Sequence, residues 1–283
     1  MKQVLRYLVY SNLWVALAVG SMAWFSMVSL PSVQIGYLLL VMFSTAFTYN
    51  YMRFVQIRGF DLRSPFRFKA WTAEHRKEVF LLMLVFGSLT GLVFIEIFSI
   101  QLLLLMIFPA LVSFLYPLSF KRPFSSFTSL RDVPGLKMFL IAITWSYVTA
   151  LVPAALYSAV GVDTVFECIM RTLLIVALVI PFDIRDVDYD DAQMKTIPQV
   201  LGAGQAQQLS MFFITLYQMW VLVRLFIFND PYFYTIALIA GLEAGYWLVR
   251  YSHRRHGELY FSFWIEGVPI FCGVLLVIGG FIM

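Results

Sequence analysis

Apolar residues run along this chain in long stretches that short polar connections separate. An α-helix rises 1.5 Å per residue, so a helix of about 20 apolar residues crosses a hydrocarbon core about 30 Å thick. By this measure the sequence predicts nine membrane-spanning helices, at residues 8–29, 33–51, 79–98, 101–119, 136–157, 164–183, 208–228, 232–249 and 261–282. These spans leave no stretch for a separate soluble domain. We therefore expect residues 1–283 to form one all-α, polytopic membrane domain.

Composition and the distribution of charge agree with this pattern. Hydrophobic residues make up 61% of the chain and charged residues 13%, against about 25% charged residues in ordinary soluble domains. All of the 20 lysine and arginine residues except Arg171 and Arg224 fall near the ends of predicted spans or in connections on one side. Basic residues collect on the cytoplasmic side, so we expect a cytoplasmic N-terminus and a C-terminus on the opposite side of a bacterial inner membrane. Topology also explains the net charge of +4, so we expect membrane lipid as a partner and no nucleic acid.

The most informative polar segment ends the sixth predicted span, where Asp183, Asp186 and Asp190 follow each other at helical spacing. At 100° per residue the three carboxylates fall within an arc of about 60°. Like charges at this spacing repel each other, and carboxylates at a helix C-terminus oppose the helix dipole. A cation among them would relieve both effects, most simply Mg²⁺ that carries a phosphate group. A solvated acidic loop is the alternative.

Two further motifs lie on the same predicted side. Tyr116-Pro117 follows the fourth span and leads to Lys121-Arg122-Pro123, and the sequence Lys195-Thr-Ile-Pro-Gln-Val-Leu-Gly202 follows the acidic turn. Together with nine spans and Asp183-Ile184-Arg185-Asp186-Val187-Asp188-Tyr189-Asp190, these motifs resemble the UbiA superfamily of intramembrane prenyltransferases over essentially the whole chain.

The resemblance implies a ring of helices around a central cavity for an isoprenoid tail, with the diphosphate at the cytoplasmic mouth. It also implies transfer of an isoprenyl group from a prenyl diphosphate to an aromatic or other lipid-soluble acceptor, assisted by Mg²⁺. By the same resemblance, the catalytic and metal-binding residues are Asp183, Asp186 and Asp190. The expected substrate-binding residues are Asn50, Arg53, Arg58, Tyr116, Lys121, Arg122 and Lys195.

The sequence departs from the family pattern at the first acidic motif, which should end the second span. The corresponding segment runs from Asn50 to Arg58 and keeps only the asparagine, with Tyr51, Phe54 and Arg58 where carboxylates are expected. One of two metal sites is therefore expected to be missing. Arg53 and Arg58 either contact the diphosphate in place of a metal ion, or pair with Asp186 and Asp190 and fill the site. As a third reading they only anchor the topology.

Ionisable residues within the spans are further candidates, because charge at membrane depth is costly unless it is paired or hydrated. Glu167 and Arg171 are spaced i, i+4 and are predicted to neutralise each other. Glu243 and Glu266 are expected either to line a polar cavity or to pair with Arg224.

Two other functions remain open. The first is a non-catalytic isoprenoid- or quinone-binding membrane protein that kept the cavity and lost the first metal site. The second is a small-solute transporter, which the charged residues at membrane depth favour.

Overall fold

The structure is a computed structural model, and it describes residues 2–28, 33–56, 67–118, 135–189, 194–252 and 256–282. Helices make up almost all of these residues. They are α1 Lys2–Tyr10, α2 Leu13–Met27, α3 Ile35–Gln56, α4 Arg67–Glu74, α5 Arg76–Glu96, α6 Ile100–Leu115, α7 Leu136–Ser146, the π-helix π1 Tyr147–Leu151, α8 Val152–Tyr157, α9 Val162–Asp186, α10 Ile197–Leu201, α11 Ala203–Ile227, α12 Tyr232–Arg250, the π-helix π2 Tyr260–Ile265 and α13 Val268–Ile282.

The all-α membrane architecture is confirmed, whereas the count of nine spans is not. Six helices of the described chain are long and apolar enough to cross a membrane, and α1 with α2, bent by 66°, makes a seventh if it counts as one span. The second and fourth predicted spans coincide with α3 and with α6, an apolar helix of 16 residues. Helices are the expected form here because lipid offers no hydrogen bonds to a free backbone.

The long helices follow each other around a ring. On one side α2 packs on α3 and α3 packs on α5, and α6 contacts α7 and α8. On the other side α7 packs on α9, α9 on α11, α11 on α12 and α12 on α13. The contact of α13 with α2 closes the ring and brings the two ends of the chain together. We call the end of this ring at which α3 and α9 finish the basic-loop end.

Proline residues interrupt the hydrogen bonding of several of these helices. Side chains of neighbouring helices donate to the carbonyls that the prolines leave without a donor. Pro109 lies inside α6 and has no N–H to donate to the carbonyl of Leu105, four residues earlier. The hydroxyl of Tyr147, in π1, donates to that carbonyl at 3.0 Å. The freed backbone group therefore becomes a contact between α6 and π1, as membrane helices require.

The same arrangement recurs at Pro181, inside α9 just before the acidic turn. Because Pro181 has no N–H, the carbonyl of Ala177 lacks its intrahelical donor. The hydroxyl of the fully buried Ser210 in α11 donates to that oxygen instead, at 2.6 Å. This bond fixes the end of α9 against α11. It therefore sets the position of Asp183 and Asp186, which lie within the next turn and a half.

In the third case the donor to the free carbonyl is a buried charged side chain. Pro153 leaves the carbonyl of Thr149 in π1 without its usual donor, and Nη1 of Arg171 donates to it at 2.8 Å and to the carbonyl of Met22 at 2.8 Å. The Nη2 of the same guanidinium lies 2.6 Å from Oε1 of Glu167, which confirms the predicted pair. One arginine thus joins α2, π1 and α9.

Glu167 is the centre of a larger network. It also accepts hydrogen bonds from Tyr217 at 2.8 Å, Trp220 at 2.7 Å and Arg224 at 3.2 Å. Arg224 also binds Asp230 at 2.7 Å. The alternative in which Arg224 pairs with Glu243 or Glu266 does not occur, because its guanidinium binds Glu167 and Asp230 instead.

Candidate ligand-binding site

A cavity of about 510 Å³ lies between α2, α3, α5, α6, α7 and π1. Its walls are mainly apolar, with a few hydroxyl groups among them, and its volume falls in the range of small-molecule sites. Tyr49 and Trp145 both line it, their rings edge to face with centroids 6.4 Å apart. The cavity therefore suits a long apolar ligand, and Trp145, one of the aromatic residues with cation-stabilising faces, lies on its wall.

A group of charged residues lies at the basic-loop end of this cavity. Tyr49 lies within electrostatic range of Arg53, one turn further along α3, and of Glu266. Glu266, which follows π2, lies within electrostatic range of Arg53 and Arg185 but forms no ion pair closer than 4 Å in the described part of the chain. We call Tyr49, Arg53, Arg185, Asp186 and Glu266 the mouth cluster. It joins an apolar chamber to a charged entrance, which is the distribution of polarity that an amphipathic ligand requires.

Arg53 is held from the side of α1 and α4. Its Nη1 donates to the carbonyl of Tyr10 at 2.6 Å, and its guanidinium lies 5.3 Å from the ring centroid of Phe68. Glu258 supports the same corner, because its carboxylate accepts hydrogen bonds from the Tyr10 hydroxyl at 3.0 Å and from the Phe68 N–H at 3.3 Å. The arginine is thus oriented by backbone and aromatic contacts. No ion pair closer than 4 Å involves Arg53 in the described chain.

Asp183 and Asp186, the two predicted site aspartates that the structure describes, have different partners. Asp186 is bound by its neighbour Arg185 through two hydrogen bonds of 2.5 Å and 2.9 Å, and Arg185 lies over the rings of Phe182 and Phe261. Neighbouring helical side chains rarely face each other, so this pair was not predicted. The alternative in which Arg53 pairs with Asp186 does not occur, because Arg185 occupies that carboxylate.

Asp183 is buried, and its Oδ1 lies 3.8 Å from Nζ of Lys137 at the start of α7. Both residues line a second pocket, of about 210 Å³, which Lys195 and Thr196 also line. A backbone hydrogen bond from Gly135 to Met194, 3.1 Å long, holds the two segments together. The structure therefore brings together Asp183 and Lys195, both predicted site residues, and adds Lys137.

The remaining predicted residues divide into two groups. Asn50 is fully buried, its amide nitrogen donates to the carbonyls of Ser11 and Ala46, and its oxygen accepts from Asn12, so it clamps the turn between α1 and α2. Tyr116 is buried within electrostatic range of Tyr49. Outside the described residues lie Arg58, Lys121, Arg122 and Asp190.

Carboxylates are the side chains that Mg²⁺ prefers, and the acidic turn supplies several of them. Within the described ranges no three His, Cys, Asp or Glu side chains converge on one point. Asp186 is in addition occupied by Arg185. The described residues therefore do not form a metal cage by themselves. The assignment of Mg²⁺ to Asp183, Asp186 and Asp190 stays a prediction that depends on Asp190.

Sequence reasoning singled out Glu266 for its depth in the membrane but did not place it. The structure puts it in the mouth cluster. By contrast Glu243 lies on an exposed face, where it accepts hydrogen bonds from Gln218 at 3.2 Å and Trp247 at 2.9 Å. It does not line the cavity, so nothing in its position favours the transporter alternative.

Comparison with solved structures finds the same fold over nearly the whole chain. A UbiA homologue from Archaeoglobus fulgidus bound to GPP and Mg²⁺ matches with a TM-score of 0.66 at 12% identity, covering 98% of this chain and 99% of that chain. The apo structure of a UbiA homologue from Aeropyrum pernix K1 also gives 0.66, at 13% identity, covering 94% and 97%. A digeranylgeranylglyceryl phosphate synthase structure gives 0.58 at 13% identity, covering all of both chains.

No family model matches the chain, and no curated protein matches its sequence. At 12–14% identity these structural matches establish the fold alone.

Proposed function

Starting from the UbiA fold, we propose that the chain binds a prenyl diphosphate in this cavity and transfers its isoprenyl group to a lipid-soluble acceptor. The observation that carries the proposal is the position of Arg53 in the last turn of α3, one turn beyond Tyr49, which lines the apolar cavity. A prenyl diphosphate has the same two parts, an apolar tail and a charged head. The full-length likeness to a homologue bound to GPP and Mg²⁺ gives independent support.

The reaction consists of breaking the bond between the allylic carbon and the diphosphate oxygen, with both electrons leaving on the diphosphate. A bond from the acceptor to that carbon replaces it, and the acceptor loses a proton. The step needs positive charge near the leaving group. Arg53 and Lys195 would supply this charge in the described chain, and Arg58, Lys121 and Arg122 are proposed to add to it. Tyr116 and Asn50 are proposed to shape the same mouth.

The acidic turn is proposed to act on the same head group. Asp183, Asp186 and Asp190 would hold Mg²⁺, which when bound supplies further charge neutralisation for the leaving group. Of these, Asp183 lies in the pocket with Lys137 and Lys195. Releasing Asp186 to a metal requires Arg185 to change partner, since the two are joined by two hydrogen bonds.

The test is binding and transfer of radiolabelled geranyl diphosphate by the purified full-length protein, with Mg²⁺ and EDTA arms. We expect saturable binding, and we expect Asp186→Asn to weaken it in the Mg²⁺ arm. Glu243→Gln is the matched control, because Glu243 lies outside the cavity. If neither EDTA nor Asp186→Asn changes binding, the metal role of the acidic turn is wrong.

A second candidate is a non-catalytic isoprenoid- or quinone-binding protein. One observation favours it: the carboxylate of Asp186 is already neutralised within the chain by Arg185. This candidate predicts saturable binding with no release of diphosphate in the presence of a panel of lipid-soluble acceptors. Release of diphosphate coupled to product formation would exclude it.

A further inference from the structure

Six serine and threonine side chains line the apolar cavity of about 510 Å³. Such hydroxyls in a helix often donate to a backbone carbonyl of the preceding turn, and three of the six do so. Thr45 and Ser44 donate to the carbonyl of Val41 at 2.7 Å and 3.2 Å, and Thr90 donates to that of Phe86 at 2.7 Å. The protons of these three hydroxyls are therefore already used within the chain.

The hydroxyls of Thr48, Ser113 and Thr144 differ, because they make no hydrogen bond in the described part of the chain. Thr48 and Ser113 are only partly buried on the cavity wall. Oγ1 of Thr144 is buried without a partner, so no hydrogen bond holds it in its rotamer, and threonine in a helix has a second one. An unpaired hydroxyl in apolar surroundings costs free energy. Three of them around one cavity indicate a ligand with a matching polar atom.

A ring contact places Thr48 and Ser113 at one level of the cavity. Thr48 follows Phe47 on α3, Ser113 precedes Phe114 on α6, and all four residues line the cavity. The rings of Phe47 and Phe114 lie edge to face with their centroids 6.1 Å apart. The two hydroxyls therefore flank the point at which side chains of α3 and α6 meet.

A second ring contact places Thr144 at the same level. Tyr49 follows Thr48 on α3, and Thr144 precedes Trp145 on α7. The rings of Tyr49 and Trp145 lie edge to face with their centroids 6.4 Å apart. The three hydroxyls, one from each of three helices, thus surround one section of the cavity between aromatic side chains.

This section lies a short way inside the charged mouth. Thr48 precedes Arg53 by five residues on α3, which is about 7.5 Å along the helix axis. A diphosphate at Arg53 therefore places the first carbons of its prenyl chain near the hydroxyls. The prenyl chain is a hydrocarbon and offers no atom that accepts a hydrogen bond, so the hydroxyls serve a second molecule.

We propose that Thr48, Ser113 and Thr144 form a hydroxyl site that binds an oxygen atom of the acceptor. This inference rests on the proposed function, and it identifies the acceptor as an apolar molecule that carries a hydroxyl or carbonyl oxygen. The aromatic side chains beside the hydroxyls favour a flat, ring-shaped body. Binding through the oxygen fixes this body beside the first carbon of the prenyl chain, where the new bond forms.

The test compares the affinities of 1-naphthol and 1-methylnaphthalene for the purified full-length protein in detergent. A methyl group replaces the hydroxyl in the second probe, so the two have nearly the same shape. We expect the wild type to prefer 1-naphthol about tenfold, because a site built for an oxygen rejects the analogue that lacks it. Thr48→Val, Ser113→Ala and Thr144→Val should each reduce this preference about two- to fivefold.

Thr45→Val is the matched control, because Thr45 lines the same cavity but its hydroxyl donates to its own helix. It should leave the preference unchanged, and Thr48→Ser, which keeps the hydroxyl, should largely retain it. Alanine replaces valine in any variant that does not fold. Equal affinity of the wild type for both probes, binding of neither probe, or an equal effect of Thr45→Val and Thr48→Val would overturn the hydroxyl site.

Binding of geranyl diphosphate separates this inference from the function on which it rests. The same variants should keep their affinity for geranyl diphosphate within about twofold, because its chain forms no hydrogen bond with the hydroxyls. A wild type that prefers 1-naphthol but does not bind geranyl diphosphate would refute the proposed function and leave the hydroxyl site standing. A loss of affinity for geranyl diphosphate as large as the loss for 1-naphthol would show that the hydroxyls only maintain the cavity, and would overturn the site.

Discussion

The contact between Ser210 and the carbonyl of Ala177 offers a direct test of how this bundle tolerates its prolines. Pro181 removes the N–H that would satisfy this carbonyl, and Ser210 replaces it at 2.6 Å. Both Ala177 and Ser210 are fully buried, so in Ser210→Ala water does not reach the vacated oxygen. A hydrogen bond between membrane helices contributes about 0.6 kcal/mol on average, and an unsatisfied buried group costs about 1–3 kcal/mol.

We therefore expect Ser210→Ala to lower the free energy of unfolding by about 1–2 kcal/mol. The measurement is reversible unfolding in mixed micelles of detergent and sodium dodecyl sulfate. Thr215→Ala is the matched control on the same helix, because Thr215 donates only to the carbonyl of Met211, one turn earlier. That change should stay within about 0.5 kcal/mol.

A double-mutant cycle tests whether Pro181 is the reason that the Ser210 hydrogen bond stabilises the bundle. Pro181→Ala returns an N–H to the carbonyl of Ala177, so in that background Ser210→Ala should cost less than about 0.5 kcal/mol. If Ser210→Ala costs the same with and without Pro181, or no more than the Thr215 control, the repair of the proline interruption by α11 is refuted.

Two further predictions concern the network and the cavity. Glu167→Gln leaves Arg171 and Arg224 without their shared carboxylate, so we expect the free energy of unfolding to fall by about 3–5 kcal/mol in the same assay. A decrease of less than about 1 kcal/mol would contradict the central role of Glu167. Gly91 lines the cavity, and a Cβ placed there meets no atom within 4 Å. Gly91→Phe should therefore weaken binding of geranylgeranyl diphosphate about tenfold more than that of dimethylallyl diphosphate, and equal effects on the two ligands would contradict the assignment of the tail to this cavity.

The pattern of apolar residues predicted the bundle well, because membrane helices must satisfy their backbone internally and so follow the length of the apolar runs. The predicted spans 136–157 and 232–249 coincide closely with Leu136–Tyr157 and α12. The pair of Glu167 and Arg171 was also predictable, because residues four apart lie on the same helical face. The two π-helices were not predicted, since each has a carbonyl that accepts a hydrogen bond from another helix, Thr149 from Arg171 and Phe263 from Trp14.

The sequence predicted only part of the candidate site. The acidic turn located the end of α9, but the pairing of Arg185 with Asp186 joins neighbours that helical geometry normally separates. Asn50 matched a family position, yet its amide clamps the turn between α1 and α2. Long-range contacts of this kind have no signal in a single sequence.

The most direct test of the central claim is an experimental structure of the full-length protein with geranyl thiodiphosphate, a non-reactive analogue of geranyl diphosphate. We expect the diphosphate within about 3 Å of the Arg53 guanidinium and the tail between α3, α5 and α6. Density for the analogue on the lipid-facing groove that Trp247, Trp264 and Phe271 line, with the cavity empty, would contradict the account.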